Sequence, residues 1–188
     1  MKSVAILYGF TEGRRHGHRM RKALRKAGYR VVRHPDDADI LIAHSAGCFF
    51  TKDYKKATFV MLINPPYWPG KTLRKRAVER FFVDLKHGIR PTKIWFWAYK
   101  NCLNVYYGLS RFKRNWRLVI MALHFTLPKA VAHHKNVLVV RNHDDTWLSP
   151  ELEAVKESQP AISIHHLSGE HDDCWRHPSR YIALLPKP

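Results

Sequence analysis

The fold of this chain turns on one stretch, Ile40-Leu41-Ile42-Ala43-His44-Ser45-Ala46-Gly47. Four apolar residues in a row, with no polar alternation, predict a short strand buried on both faces, as in a parallel sheet covered by helices. The strand should stop at His44. Ser45 then sits among the small residues Ala43, Ala46 and Gly47, which leave room for a tight turn from strand to helix. Similar runs lie on either side. Val4-Ala5-Ile6-Leu7-Tyr8 ends at Gly9, Tyr29 to Val32 reads as a second strand, and Thr58 to Ile63 as a fourth, stopped by Asn64-Pro65-Pro66. Val137 to Val140 and Ile162 to Leu167 complete the set. Between strands the period becomes helical. Met20, Ala23, Leu24 and Ala27 share a face among arginines and lysines, and Gly28 is placed to end that helix. Ala77, Val78, Phe81, Phe82 and Leu85 make another face. Ser149-Pro150-Glu151 has the N-cap serine and first-turn proline of a helix start, and Pro178 to Leu185 reads as a closing helix. Strands alternating with helices predict an α/β fold, a mostly parallel sheet with helices on both faces.

These elements must share 188 residues, which is one domain's worth. With 45% hydrophobic residues the chain can bury an ordinary core, so disorder is excluded despite a formal charge of +18. Cys48, Cys102 and Cys174 are too few and too scattered for a disulfide framework, which points to a reducing compartment. The longest strongly apolar stretch, Leu118 to Leu127, is about half the roughly 20 residues needed to cross a bilayer. Met1-Lys2-Ser3 leads directly into a strand, without an apolar helix of signal length. The expected location is the cytoplasm. The charge is unevenly spread: +8 over residues 1–70, +13 over 71–135 and −3 over 136–188. The middle segment interleaves its lysines and arginines with aromatics such as Trp95, Trp97, Tyr106 and Trp116.

In an open parallel sheet, ligands gather outside the carboxyl ends of the strands, so the residues just after each strand are the informative ones. Four places stand out: Tyr8-Gly9-Phe10-Thr11, Ala43 to Gly47, Arg141-Asn142-His143-Asp144-Asp145, and Ser168-Gly169-Glu170-His171. A serine, an aspartate and a histidine, each after a different strand, are what acyl transfer by a serine nucleophile needs. The histidine takes the serine proton and the carboxylate orients and charge-balances the histidine. Ser45 is the candidate nucleophile, His171 the base, and Asp145 or Asp144 the acid. The backbone amide of Ala46, with one from the Gly9-Phe10-Thr11 loop, could hold the oxyanion.

With these residues in this order the sequence resembles the α/β-hydrolase superfamily, especially its small compact serine hydrolases. The family's G-x-S-x-G elbow is matched by Ala43-His44-Ser45-Ala46-Gly47, with alanine for the first glycine. Its oxyanion loop, commonly His-Gly-aromatic, is matched by Tyr8-Gly9-Phe10. The resemblance implies Phe10 and Ala46 as the oxyanion amides, favours Asp145 over Asp144 from the G-x-x-D setting, and prefers His171 to His177. It covers residues 1 to about 70 and about 136 to 188, and implies a trimmed hydrolase fold with a helical cap inserted at 71–135. The implied activity is hydrolysis of an ester, thioester or amide through an acyl-enzyme, without a cofactor, on a small acyl substrate, anionic or lipid-like.

Competing uses of the same residues are weaker. His171, Cys174 and His177 are spaced as metal ligands, with Asp172 and Asp173 nearby, but thirteen histidines produce such clusters by chance, and no metal is expected. Gly9, Gly13 and Gly17 do not make a dinucleotide fingerprint. The basic aromatic segment reads first as a cap with a solvated charged face. The alternative function is a non-catalytic hydrolase-fold protein that binds nucleic acid or an anionic membrane surface there, with nucleic acid the less favoured of the two.

Overall fold

The computed structural model describes residues 1–9, 12–66, 127–145, 156 and 162–188, which lie in one compact unit made of Met1–Tyr67 and Phe125–Pro188. Among the described residues six strands form one sheet: β1 (Ser3–Leu7), β2 (Arg30–Val31), β3 (Ile40–His44), β4 (Phe59–Ile63), β5 (Val137–Asn142) and β6 (Ile162–Leu167). They run in the order β2-β1-β3-β4-β5-β6, and every neighbouring pair is parallel. The helices are α1 (His18–Lys26), α2 (Leu127–Val131), α3 (Asp173–Arg176) and α4 (Pro178–Ile182), with 3₁₀ turns at Pro35–Asp37 and Ser45–Asp53.

The apolar runs are apolar because both faces of the sheet are covered. Successive side chains of a strand point to opposite faces. Ala5, Leu7, Leu41, Ala43, Val60 and Leu62 pack with Cys48, Leu127 and Val131 on one side. Val4, Ile40, Ile42, Met61 and Ile63 pack with Met20, Leu24, Trp175 and Tyr181 on the other. Truncating one fully buried residue such as Leu41 or Ile42 to alanine should cost about 2–5 kcal/mol. α1 is amphipathic in the same sense, with Met20 and Leu24 inside and its basic residues outside. It ends as a Schellman turn: the Tyr29 amide donates to the Leu24 carbonyl at 3.0 Å and the Gly28 amide to the Arg25 carbonyl at 3.1 Å. That turn requires the left-handed backbone at Gly28, where φ is 89°.

Two features of the chain path position a site. From β1 the chain passes through α1 to β2 at the sheet edge, then returns to pair β3 with the opposite side of β1. The return is short, one 3₁₀ turn, and is pinned where the Ser3 amide and hydroxyl both donate to Asp39 Oδ2, at 2.8 and 2.7 Å. The reversal of direction between β1 and β3 is a topological switch point, and it opens a crevice at their carboxyl ends.

Within the segment expected as a cap, Leu127, Ala130 and Val131 are buried in the sheet's own core, and Thr51 Oγ1 donates to the Ala130 carbonyl at 3.2 Å. The rest of that segment, the helical faces read at 77–85 and the helix start at Ser149, lie outside the described residues. No helix of the described residues is long and apolar enough to cross a membrane.

Candidate active site

Ser45 is the first residue after β3, and its backbone is in the left-handed region, φ 51°. Such a conformation costs a non-glycine residue about 1–3 kcal/mol and persists only where its surroundings over-determine it. They do so here by contact. A Cβ on Gly47 would lie 2.4 Å from the Leu7 carbonyl oxygen, so the turn after Ser45 packs backbone to backbone on the end of β1. A Cβ on Gly9 would come 3.0 Å from Ser45 Cβ and 3.1 Å from the His44 carbonyl oxygen. The loop after β1 therefore closes directly over the serine. Ala46 follows Ser45 and is buried. Phe10, the other expected oxyanion residue, lies outside the described residues.

His171 and Asp145 come from the loops after β6 and β5, which are paired along their whole length. His171 Nδ1–H donates to Asp145 Oδ2 at 2.6 Å. The Asp145 side chain is fully buried, whereas that of His171 is 31% exposed. A carboxylate can only accept, so the proton is on Nδ1 and the Nε2 of a neutral His171 is left as a base. Asp144 is used differently: its Oδ2 accepts the Gly169 amide at 3.1 Å and so ties the β5 loop to the β6 loop.

The carbonyl of His171 is held by two donors, Asn64 Nδ2 and His44 Nε2, each at 2.8 Å. Asn64 follows β4, and its Oδ1 also accepts the Asn142 amide at 2.9 Å. Asn142 Nδ2 donates to the Glu170 carbonyl at 2.7 Å, while its Oδ1 accepts the Tyr181 hydroxyl at 2.8 Å. Burial pushes the Tyr181 hydroxyl well up, so it remains a donor. The histidine loop is thus strung from three strand ends and α4.

His44 links this side to the serine. It immediately precedes Ser45, and its ring centre is 4.8 Å from that of His171 and 5.1 Å from that of Trp175. Its Nδ1 is 2.7 Å from Glu12 Oε1, a close charge contact with poor hydrogen-bond alignment. Glu12 also accepts the Gly9 amide at 2.6 Å and Trp175 Nε1–H at 3.0 Å. Burial alone would raise the Glu12 carboxyl; the contacts with His44, Trp175 and the Gly9 amide outweigh it and hold the group below the usual glutamate value. Burial likewise pulls His44 down, and its contacts with Cys174 and Glu12 reverse this and hold it well above the usual value. Burial pushes the Cys174 thiol up, so Glu12 is the neighbour that carries the charge.

Sequence reasoning missed Glu12, Asn64 and Trp175, and passed over His44 as a filler of the Ser45 turn. The metal-ligand spacing singled out at 171, 174 and 177 does not assemble: Cys174 is buried against His44, and His177 is exposed beside Asp173. Among the described residues, His44, His171 and Asp172 bring ligand atoms within 4.8 Å of one another. Both nitrogens of His44 and Nδ1 of His171 already face protein acceptors, which leaves a cation only His171 Nε2 and one carboxylate.

A parallel sheet with its crevice at a switch point, a strained serine after one central strand, and a buried aspartate on a histidine after two others together define the α/β-hydrolase fold. The chain has that fold. Its similarity extends over nearly the whole molecule to a carboxylesterase of the thaumarchaeon Nitrososphaera gargensis (TM-score 0.61, 14% identity, 98% of this chain and 88% of that one). It is similar also to a bromoperoxidase from Bacillus anthracis (0.61, 15%, 98% and 90%) and to an esterase of Pyrococcus furiosus (0.60, 15%, 97% and 77%). No family model and no curated protein matches the sequence.

Proposed function

We propose that this chain is a serine hydrolase that cleaves an ester, thioester or amide through an acyl-enzyme. The observation that carries the reading is the 2.6 Å bond from His171 Nδ1–H to the buried Asp145 carboxylate, on the same rim as the strained Ser45. It leaves a basic nitrogen on a partly exposed ring, which a merely structural histidine does not need.

In this reading His171 Nε2 takes the Ser45 hydroxyl proton as Oγ attacks the carbonyl carbon, and Asp145 stabilises the imidazolium that forms. The oxyanion is met by the Ala46 amide, with Phe10 as second donor. Collapse of the tetrahedral intermediate breaks the bond to the leaving group, which takes the proton from His171. A water, deprotonated by the same nitrogen, then attacks the acyl-enzyme and releases the acid and free Ser45. The substrate is a small acyl compound, anionic or lipid-like in keeping with the chain's positive charge.

A fluorophosphonate probe tests this. It should label Ser45 in the wild type and leave Ser45→Ala and His171→Ala unlabelled, with circular dichroism unchanged. Folded wild-type protein that resists the probe would sink the reading. Salt-sensitive binding of nucleic acid or anionic vesicles, indifferent to Ser45→Ala, would then favour the binding alternative.

A further inference from the structure

The proposed reaction does not use the buried charge beneath Ser45. His44 is fully buried, yet each of its nitrogens faces an oxygen that can only accept. Nε2 is 2.8 Å from the main-chain carbonyl of His171, and Nδ1 is 2.7 Å from Glu12 Oε1. A neutral imidazole has one N–H and one bare nitrogen, so a neutral His44 would set a lone pair against one of these oxygens in a site without water access. The doubly protonated ring turns an N–H toward each oxygen, donating to the His171 carbonyl and meeting Glu12 in a close charge contact, and the Glu12 carboxylate balances its charge. The other titratable groups facing the ring supply no second anion in contact with it: Cys174 is a buried thiol, His171 offers its carbonyl and ring, and Asp172 lies at the exposed end of the cluster.

We propose that His44 is a buried imidazolium paired with Glu12, and that the pair positions the base by holding the His171 carbonyl while fixing the loop that closes over Ser45. Glu12 performs the second task with its other oxygen, which accepts the Gly9 amide at 2.6 Å, and it anchors to α3 through Trp175. One ion pair thus ties the ends of β1, β3 and β6, the three places that must stay in register for a proton to pass between Ser45 and His171. His44 and Glu12 are positioning residues, since neither touches the reacting atoms. The positioning role rests on the function proposed above; the charge state of His44 does not.

The test is ¹⁵N–¹H spectroscopy of the full chain labelled at histidine, at pH 8. Both ring nitrogens of His44 should be protonated there, where free histidine measured alongside as a reference has lost its second ring proton. A bare nitrogen on His44 at that pH overturns the imidazolium. In Glu12→Gln, His44 should drop to a single ring proton at pH 8, and the His171 Nδ1 proton on Asp145 should exchange with water at least about tenfold faster. Probe labelling of Ser45 in Glu12→Gln should slow by about 10- to 100-fold, the range expected when a catalytic group is misplaced by about 1 Å. An unchanged His171 exchange rate in Glu12→Gln overturns the positioning role even if the protein is never labelled, so the failure of this inference and the failure of the hydrolase reading are told apart. Should Glu12→Gln not fold, Trp175→Phe removes one donor to Glu12 and should move the same His171 proton in the same direction by a smaller factor; no movement overturns the positioning role.

Discussion

The serine turn after β3 and the histidine loop after β6 meet at the same crevice but are held there by different forces. The turn is held by volume. Ser45 keeps a left-handed backbone because Gly47 lets the chain press on Leu7, where a methyl group has no room, and Gly9 lets the β1 loop press on Ser45, where a methyl group would fit only tightly. The histidine loop is held by donors: Asn64 and His44 on the His171 carbonyl, Asn142 on the Glu170 carbonyl, and Tyr181 behind Asn142. Overpacking should break the first all at once. Losing donors should loosen the second by degrees.

The sharpest test of this contrast changes chemistry without changing volume. Asp145→Asn keeps the size of the side chain but can present an N–H to His171 Nδ1, which favours the tautomer with no basic Nε2. Turnover, or the rate of probe labelling, should fall about 10⁴-fold, the loss that a wrong tautomer costs such a triad, while thermal stability stays nearly constant. A rate within tenfold of the wild type would remove Asp145 from the machinery. Next in size is Gly47→Ala, which sets a methyl group against a main-chain oxygen that cannot swing away. A loss of about 3 kcal/mol or more in denaturant unfolding is expected. Gly28→Ala is the control. Its φ is positive, 89°, as that of Gly47 is not, but its nearest neighbour is Pro188 at 3.5 Å, so it should cost only the backbone term of about 1 kcal/mol. A loss at Gly47 no larger than that at Gly28 would mean that the contact with Leu7 does not hold the turn.

The contrast also explains what could be read in the sequence. Strand ends were legible because a strand buried on both faces must be a short apolar run, and Val137 to Val140 or Ile40 to Ala43 cannot be mistaken for an exposed helix. Ser45, Asp145 and His171 were therefore each placed just after a strand, and the structure brings the last two into contact. What α2 packs against was not legible, because an apolar helical face does not name its partner. Leu127 and Val131 would suit a cap's interior as well as the core they fill. Donors to main-chain carbonyls leave no periodic signature. Asn64 looked like a strand stop before two prolines, and it is one, with φ 48°, but its amide does a second job 107 residues away. Glu12 looked like an ordinary loop carboxylate because nothing local tells that its partners are His44 and Trp175. The three-residue spacing of His171, Cys174 and His177 pointed to a shared face, yet α3 is only four residues long and turns Cys174 into the core.

Within the histidine loop, the effects should scale with the donors removed. Asn64→Ala takes away two bonds at once and leaves the buried Asn142 amide without its acceptor, for an expected loss of about 2–3 kcal/mol and slower labelling of Ser45. Tyr181→Phe deletes one hydroxyl behind Asn142 and should cost about 1 kcal/mol with labelling little changed. If Tyr181→Phe slowed labelling as much as Asn64→Ala, direct contact with the His171 carbonyl would not be what matters.

The smallest effect is the most specific to the join between the two regions, the dependence of stability on pH. Glu12 has a folded value below that of a free glutamate, so its contribution is present above the free value and is lost as pH falls through the lowered one. His44 has a folded value above that of a free histidine, so its contribution is full below the free value and is lost as pH rises through the raised one. The pair therefore stabilises the fold fully only between the ordinary values of the two groups, about pH 4.3 to 6.5, and fades on both sides. Glu12→Gln removes the carboxylate that His44 needs. Its alkaline decline should move to lower pH and its acid decline should weaken, so a plot of unfolding midpoint against pH narrows on the alkaline side and flattens on the acid side. Wild-type and variant curves that run parallel from pH 4 to 9 would show that the two regions are joined by shape alone, with no charge between them.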